Sequence, residues 1–421
     1  MNILYFLMIA QLIHAQTLII QLTENTIGLK FLKKYDTILK LCSYEYLEIS
    51  NNKFIIGKFD TNFLKSIYFD TEVKSISKDN QINICQLKKK NNLSYESNNN
   101  YIMKPILEQS SLLNTKPNDT SPLVQHFAPR HLVRLTQDHA IKKKQEMNFK
   151  YPLSSPNKKK NHNIYLLDTG VATTHPGFYH KKIINKTIMK YNFTHNLNNE
   201  DINGHGTSIA SIILSQLLGV CKNDCNIISY KIIDDNGVGY LSNFIKTLKY
   251  IQDNETNGIL LLPFISEKSQ IINDLMYTFN QQLNYTIVVP AGNYQLDSCN
   301  YSPSSSNDVI TVGSIDSTLD KIADFSNYGK CINIFADGVN MLTLSNNIND
   351  NIPFDIFSGT SLSAGIVAGV LSQWLNNYDE INFDNNNDLI MKLDNLAIKG
   401  IIQPNKYLEN SKTVNKLIQM I

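Results

Sequence analysis

The sequence predicts an α/β fold, a mostly parallel sheet with helices on both faces, in the chain beyond about residue 125. Three observations carry this expectation. Apolar runs without polar alternation, "NIYLLD", "NIISYKII", "GILLLPFI", "YTIVVP" and "DVITV", have the composition of strands buried on both faces. Between them, apolar residues recur at helical spacing, first as Leu241, Phe244, Ile245, Leu248 and Ile251, then as Ile272, Leu275, Met276 and Phe279. Polar punctuation falls just after the strands, where parallel sheets place their sites.

From the amino terminus, "MNILYFLMIAQLIHA" sets a short apolar core before Ala15, a small residue suited to a signal-peptidase site. That core is shorter than the roughly 20 residues a membrane span needs, so residues 1–15 read as a signal peptide, with a buried terminal strand or helix as the alternative. Residues 16–86 form a separate unit that opens on the strand-like "TLIIQL" and closes on "DTEVKSISKDNQINICQ". Residues 87–124 shift to "LKKKNN", "SNNN" and "NTKPNDTSP" and read as a linker carrying the maturation site, or as a long irregular loop. Residues 125–421 make the main domain, and no later segment has the continuous apolarity of a membrane helix.

Lys and Arg number 39 against 37 Asp and Glu, a net charge of +2. Nothing in that balance provides the electrostatic footprint of a nucleic-acid or membrane-surface partner. The six cysteines, Cys42, Cys85, Cys221, Cys225, Cys299 and Cys331, are an even set behind an export signal, which suggests disulfides while leaving every pairing open. Metal ligation by Cys221 and Cys225 is the rival, but no second Cys or His pair follows at a zinc-site spacing.

Four polar motifs stand at strand or helix boundaries: Asp168 in "LLDTG", His205 in "NGHGTS", Asn293 in "VVPAGN" and Ser361 in "FSGTSLSAGIVAGVL". Each alone reads as well as a turn residue or a helix cap. Together, the order Asp, His, Ser is that of one convergent branch of serine peptidases. A serine hydroxyl needs a base, and an imidazole with a pKa of about 6.5 both takes and returns a proton near neutrality.

With these motifs the chain resembles the subtilisin family of serine peptidases and, within it, the proteinase K-like secreted enzymes. The matching segments are "YLLDTGV", "NGHGTS", "YKIIDDNGVGYLS", "VVPAGN", "CNYSPSSSNDVITVGSID", "FSNYGKCINIFADG" and "SGTSLSAGIVAGV". The resemblance implies a subtilisin-like fold preceded by a small α+β propeptide domain that inhibits the enzyme, with "TLIIQL" and "EVKSISKDNQ" as its ends. It implies Ser361 as nucleophile, His205 as general base, Asp168 as the group that orients it and Asn293 as oxyanion donor. A non-catalytic member of the fold that binds peptides or a partner is the alternative.

The resemblance also implies that Gly237, Gly239 and Tyr240 form one edge of a peptide-binding groove. Those glycines serve equally as a turn before the following helix. Counted back from Asn293, the opposite edge falls on Phe264, Ile265 and Ser266, with a side chain where the family has Gly. After the nucleophile, Ser363-Ala364-Gly365-Ile366 replaces the family's usual Ala-Ser-Pro-His; the glycine costs a helix only about 1 kcal/mol. Cys299 and Cys331 match a pair found in some relatives, worth about 3 to 4 kcal/mol on a chain-entropy account. Cys221–Cys225 would close a local loop, and Cys42–Cys85 would pair within the propeptide.

No cofactor or catalytic metal is expected. Asp316 resembles a calcium-site position, but a single carboxylate supplies few of the roughly six to eight oxygens calcium takes. Sequons such as Asn185-Lys186-Thr187 and Asn300-Tyr301-Ser302 would allow glycosylation. Expected partners are peptide or protein substrates and the chain's own propeptide, in a monomer of the secretory pathway that is extracellular, at the cell surface or vacuolar. The stretch after Ser361 is too short for the extra barrel of kexin-like enzymes, so dedicated dibasic cleavage is not expected.

Overall fold

A computed structural model describes residues 16–90, 123–141, 147–151, 162–178, 182–186, 200–222, 225–347, 354–377, 386–403 and 411–420. The expected signal peptide, and residues 91–122 of the expected linker, lie outside them. All five apolar runs become strands of one ten-stranded sheet. Its order runs Lys182–Lys186, Asn226–Lys231, Asn163–Asp168, Ile259–Leu261, Thr286–Pro290, Ile310–Asp316, Ile334–Asp337, Lys416–Leu417 and Ile398–Lys399, with Lys321–Ile322 beside Ile310–Asp316. Every pairing from Lys182–Lys186 through Lys416–Leu417 is parallel.

The runs lack polar alternation because both faces of the sheet are covered. Ile164 and Leu166 face a core shared with the helices His205–Leu214 and Thr360–Asn377. Tyr165 and Leu167, their neighbours on the same strand, face the helices Leu241–Asn254 and Gln270–Tyr277. Two opposite faces, both apolar, are what a period of two requires of a strand buried on each side. The helix through Ser361 is buried from Thr360 to Leu375, Gly365 included. Among the described residues no helix is long and apolar enough to cross a membrane.

Residues 16–84 build a second sheet, antiparallel, in the order Ser43–Ile49, Asn52–Lys58, Leu18–Leu22, Val73–Lys78. The helices Gly28–Lys34 and Thr61–Ile67 cover one face around Phe31, Ile55 and Phe63. The other face places Ile19, Leu47, Phe54 and Ile56 against the helices of the large domain. The chain then continues as the strand Gln81–Ile84, which has left this sheet and joined the large domain. Residues 88–89, expected in an irregular linker, form a short strand antiparallel to Phe354–Ser358.

The cysteines pair as Cys299–Cys331 and Cys221–Cys225. Cys42 and Cys85, expected as a pair, are both free. Cys42 packs at the edge of the small domain's own core, whereas Cys85 lies beyond Ile84, where the chain has entered the large domain. The Asp316 carboxylate accepts hydrogen bonds from the amide and hydroxyl of Thr318, closing a local turn.

Candidate active site

Asp168 ends the strand Asn163–Asp168, and His205 is the first residue of the helix His205–Leu214; both are buried. Gly206 lets the two approach: a Cβ there would stand 2.1 Å from the carbonyl oxygen of Gly170. The imidazole Nδ1 lies 2.8 Å from each carboxylate oxygen of Asp168. Burial, the largest single influence, lowers the pKa of His205, but the Asp168 charge and hydrogen bond, the Asp201 charge and the Cys85 carbonyl together outweigh it, and the net shift is upward from 6.5. The Asp168 carboxylate therefore fixes Nδ1 and leaves Nε2 facing the cleft.

Asp201, which sequence reading passed over, holds this arrangement from behind. Its carboxylate accepts from the Thr169 hydroxyl, the Gly204 amide, and the amide and hydroxyl of Thr207, tying the strand end to the helix start. The available signal was its place three residues before Gly204, where Asp commonly satisfies the free amides of a helix entry.

Ser361 is the second residue of the helix Thr360–Asn377 and is fully buried. Its hydroxyl donates to the carbonyl of Pro263 at 3.4 Å; among the described residues no hydrogen bond links it to His205. Thr360 connects it to Asn293: the Asn293 Oδ1 accepts from the Thr360 amide at 2.9 Å and hydroxyl at 2.8 Å. With Oδ1 so engaged, Nδ2 points the other way, toward the carbonyl oxygens of Cys85 at 3.4 Å and Gln86 at 3.1 Å. The His205 Nε2 is also 3.4 Å from the Cys85 carbonyl oxygen. The Ser361 hydroxyl and the Cys85 amide share the Pro263 carbonyl. Asp168, His205, Asn293 and Ser361 thus gather around one peptide group, Cys85–Gln86.

That peptide sits in a groove filled by the chain itself. The strand Gln81–Ile84 runs antiparallel between Val238–Tyr240 and Phe264–Glu267. Gly239 pairs with Ile82 and Tyr240 with Gln81, while the Gly237 carbonyl accepts from the Ile84 amide at 3.1 Å, so the expected glycine-rich edge does hold an extended segment. The opposite edge is one residue earlier than the count from Asn293 suggested. The Cys85 amide donates to the Pro263 carbonyl, and Phe264 and Ile265 pair with Ile84 and Asn83. Ser266 pairs instead with Ser302, on a strand outside the groove. Phe264 contributes backbone only, its ring packing against Phe244 in the core. Past the site the chain remains held: Lys88 and Lys89 pair with Ser358 and Phe357, and the Lys89 ammonium lies 2.6 Å from Asp355.

A parallel-sheet α/β protein that unites an Asp at a strand end, a His and a Ser at helix starts, and an Asn amide is of subtilisin type. A model of the subtilase family matches residues 159–410, and the chain belongs to that family. It is 34% identical over 261 residues to the subtilase-type proteinase RRT12 of Saccharomyces cerevisiae, covering 58% of this chain and 51% of that protein. It is 36% identical over 225 residues to cerevisin of the same yeast, covering 50% of this chain and 33% of that protein. A subtilisin-like serine protease of Rhodotorula mucilaginosa is 36% identical over 221 residues, covering 50% of this chain and 61% of that protein. The matched region thus spans between a third and about three-fifths of these relatives' lengths. A crystal structure of a cold-adapted subtilisin-like serine proteinase superposes with a TM-score of 0.56 at 25% identity, covering 70% of this chain and 98% of that one.

Proposed function

We propose that the protein is a serine endopeptidase made as a self-processing zymogen of the secretory pathway. The observation that carries this reading is the gathering of His205, Asn293 and Ser361 around the Cys85–Gln86 peptide, with Asp168 fixing the imidazole. The Ser361 hydroxyl turns from the Pro263 carbonyl to His205; its Oγ attacks the carbonyl carbon as the proton passes to His205 Nε2, and Asn293 Nδ2 donates to the oxygen as it becomes negative. His205 then gives the proton to the departing amide nitrogen. The peptide bond breaks, leaving an ester on Ser361 that water cleaves by the same steps in reverse order.

In this reading the groove strand is the first substrate, cut just before the expected linker rather than within residues 87–124, and residues 16–85 become the inhibitory product. The two sides of the cut are held unequally: residues before it pair with strands on both sides, and Lys88–Lys89 with one. The carboxyl-side product is therefore expected to leave first, with the small domain remaining over the cleft. Two disulfides fit an oxidising compartment, as expected of an exported protein.

A fluorophosphonate probe tests the reading. Purified, processed protein should be labelled, and Ser361→Ala should lose both labelling and self-cleavage. A folded, propeptide-free wild type that resists the probe would favour a non-catalytic peptide binder instead.

A further inference from the structure

We propose that this cleft cuts after small side chains, Ala, Ser, Cys or Gly, and that Ile265 imposes the limit; the proposal rests on the peptidase reading above. The residue that donates the carbonyl to the site is Cys85, whose side chain is fully buried. Its amide is fixed by the Pro263 carbonyl on one side, and its carbonyl by Asn293 on the other. The side chain before the cut therefore enters the space between Pro263–Ile265 and Gly292–Asn293.

That space is already crossed. A Cβ placed on Gly292 would stand 2.8 Å from Ile265 Cδ1, so the isoleucine side chain reaches over to the opposite wall. The same Cβ would stand 2.4 Å from Asn327 Nδ2, and Asn327 is buried and anchored by its bond to the Ala291 carbonyl at 2.8 Å. Gly292 has φ +104, which disfavours any larger residue, so the wall facing Ile265 stays at the backbone. Ile265 is itself only 4% exposed, and its branched side chain, stiff at χ1, has little space into which to swing. The Cys85 side chain fits here fully buried; a leucine or phenylalanine would have to displace Ile265 from a packed position.

The test uses the processed wild-type enzyme and the peptides Gln-Ile-Asn-Ile-X-Gln-Leu-Lys-Lys, with X as Gly, Ala, Ser, Cys, Leu, Phe or Lys. The expected kcat/KM for Ala, Ser and Cys exceeds that for Leu and Phe by about 100-fold. Ile265→Gly should bring Leu and Phe to within a few-fold of Ala, and Ile265→Ala should do so in part, with fluorophosphonate labelling of Ser361 confirming that each variant is folded. Wild-type enzyme that cuts after Phe as fast as after Ala overturns the proposal while leaving the peptidase reading intact. So does a labelled Ile265→Gly whose preferences are unchanged. Failure to label or cut any peptide overturns both.

Discussion

Two of the molecule's sheets, the ten-stranded one and the antiparallel one of the small domain, have central strands buried on both faces, but they reach that state by different means. The ten-stranded sheet is covered on each side by helices of its own domain. The antiparallel sheet supplies its own cover on one face only; the other, with Ile19, Leu47, Phe54 and Ile56, is closed by the helices Leu241–Asn254 and Gln270–Tyr277 of the large domain. Within that contact Asn52 donates to the buried Thr278 hydroxyl at 2.7 Å, and two ion pairs accompany it: Lys246 meets Glu45 at 2.7 Å, and Lys74 meets Asp274 at 2.5 Å. The difference teaches that the small domain is half of a two-layer arrangement. A unit of its size buries proportionately little surface alone, so its stability depends on remaining docked.

The same kind of injury should therefore have different reach in the two sheets. Val288→Asp places a carboxylate at a fully buried point of the large sheet and should abolish folding, read as loss of soluble protein. Phe54→Ala in the Ser361→Ala chain removes the ring that faces the large domain, at about 3 to 5 kcal/mol. It should release the small domain while the large one keeps its cooperative melt, read by hydrogen exchange at Gln81–Ile84. Loss of both melts together would show that the two sheets fold as one unit.

Smaller effects separate chemistry from docking. Asn293→Ala removes the amide that faces the Cys85 carbonyl and should slow self-cleavage by about 100- to 1,000-fold, as timed by appearance of the shortened chain. The pH dependence follows His205. Burial, the largest single influence, opposes the imidazolium, while the Asp168 charge and hydrogen bond, the Asp201 charge and the Cys85 carbonyl together favour it, and the net pKa is raised above 6.5. A raised pKa keeps His205 protonated to higher pH, and catalysis needs it neutral, so the self-cleavage rate should rise with pH through a midpoint above 6.5. A midpoint below 6.5 would mean that burial outweighs these partners in the working state.

The sequence disclosed the large sheet and its site more fully than the contacts that join the two domains, and the reason is physical. Strands covered on both faces announce themselves as unbroken apolar runs, and Asp168 and Asn293 follow such runs; His205 and Ser361 stand at helix starts, and the order of the four motifs together marked the site. The groove register was missed by one position, because counting across the loop before Asn293 cannot sense that the Pro263 carbonyl, rather than Phe264, receives the Cys85 amide. Cys42 and Cys85 looked like partners because both precede the linker, yet one stays in the small domain while the other is carried into the cleft. Lys88–Lys89 looked like linker because a strand of two polar residues is specified by its partner, Phe357–Ser358, and not by its own pattern.

Asp79 is the least legible of these links and carries the smallest prediction. The helix Leu241–Asn254 begins at Tyr240 with no side-chain cap of its own. Asp79, from the other domain, accepts from the Ser242 amide at 2.8 Å and the Ser242 hydroxyl at 2.6 Å. Burial pushes its carboxyl upward against the pull of these bonds, so the cap is held by hydrogen bonding more than by favourable charge. Asp79→Ala should loosen docking by about 1 kcal/mol, roughly a fivefold loss of amide protection at Gln81–Ile84 in the Ser361→Ala chain. Asp79→Asn, which caps helices as well as Asp, should retain most of that protection. If Asn proved as damaging as Ala, the negative charge and not the hydrogen-bonded cap would be what ties the small sheet to the helix beneath it.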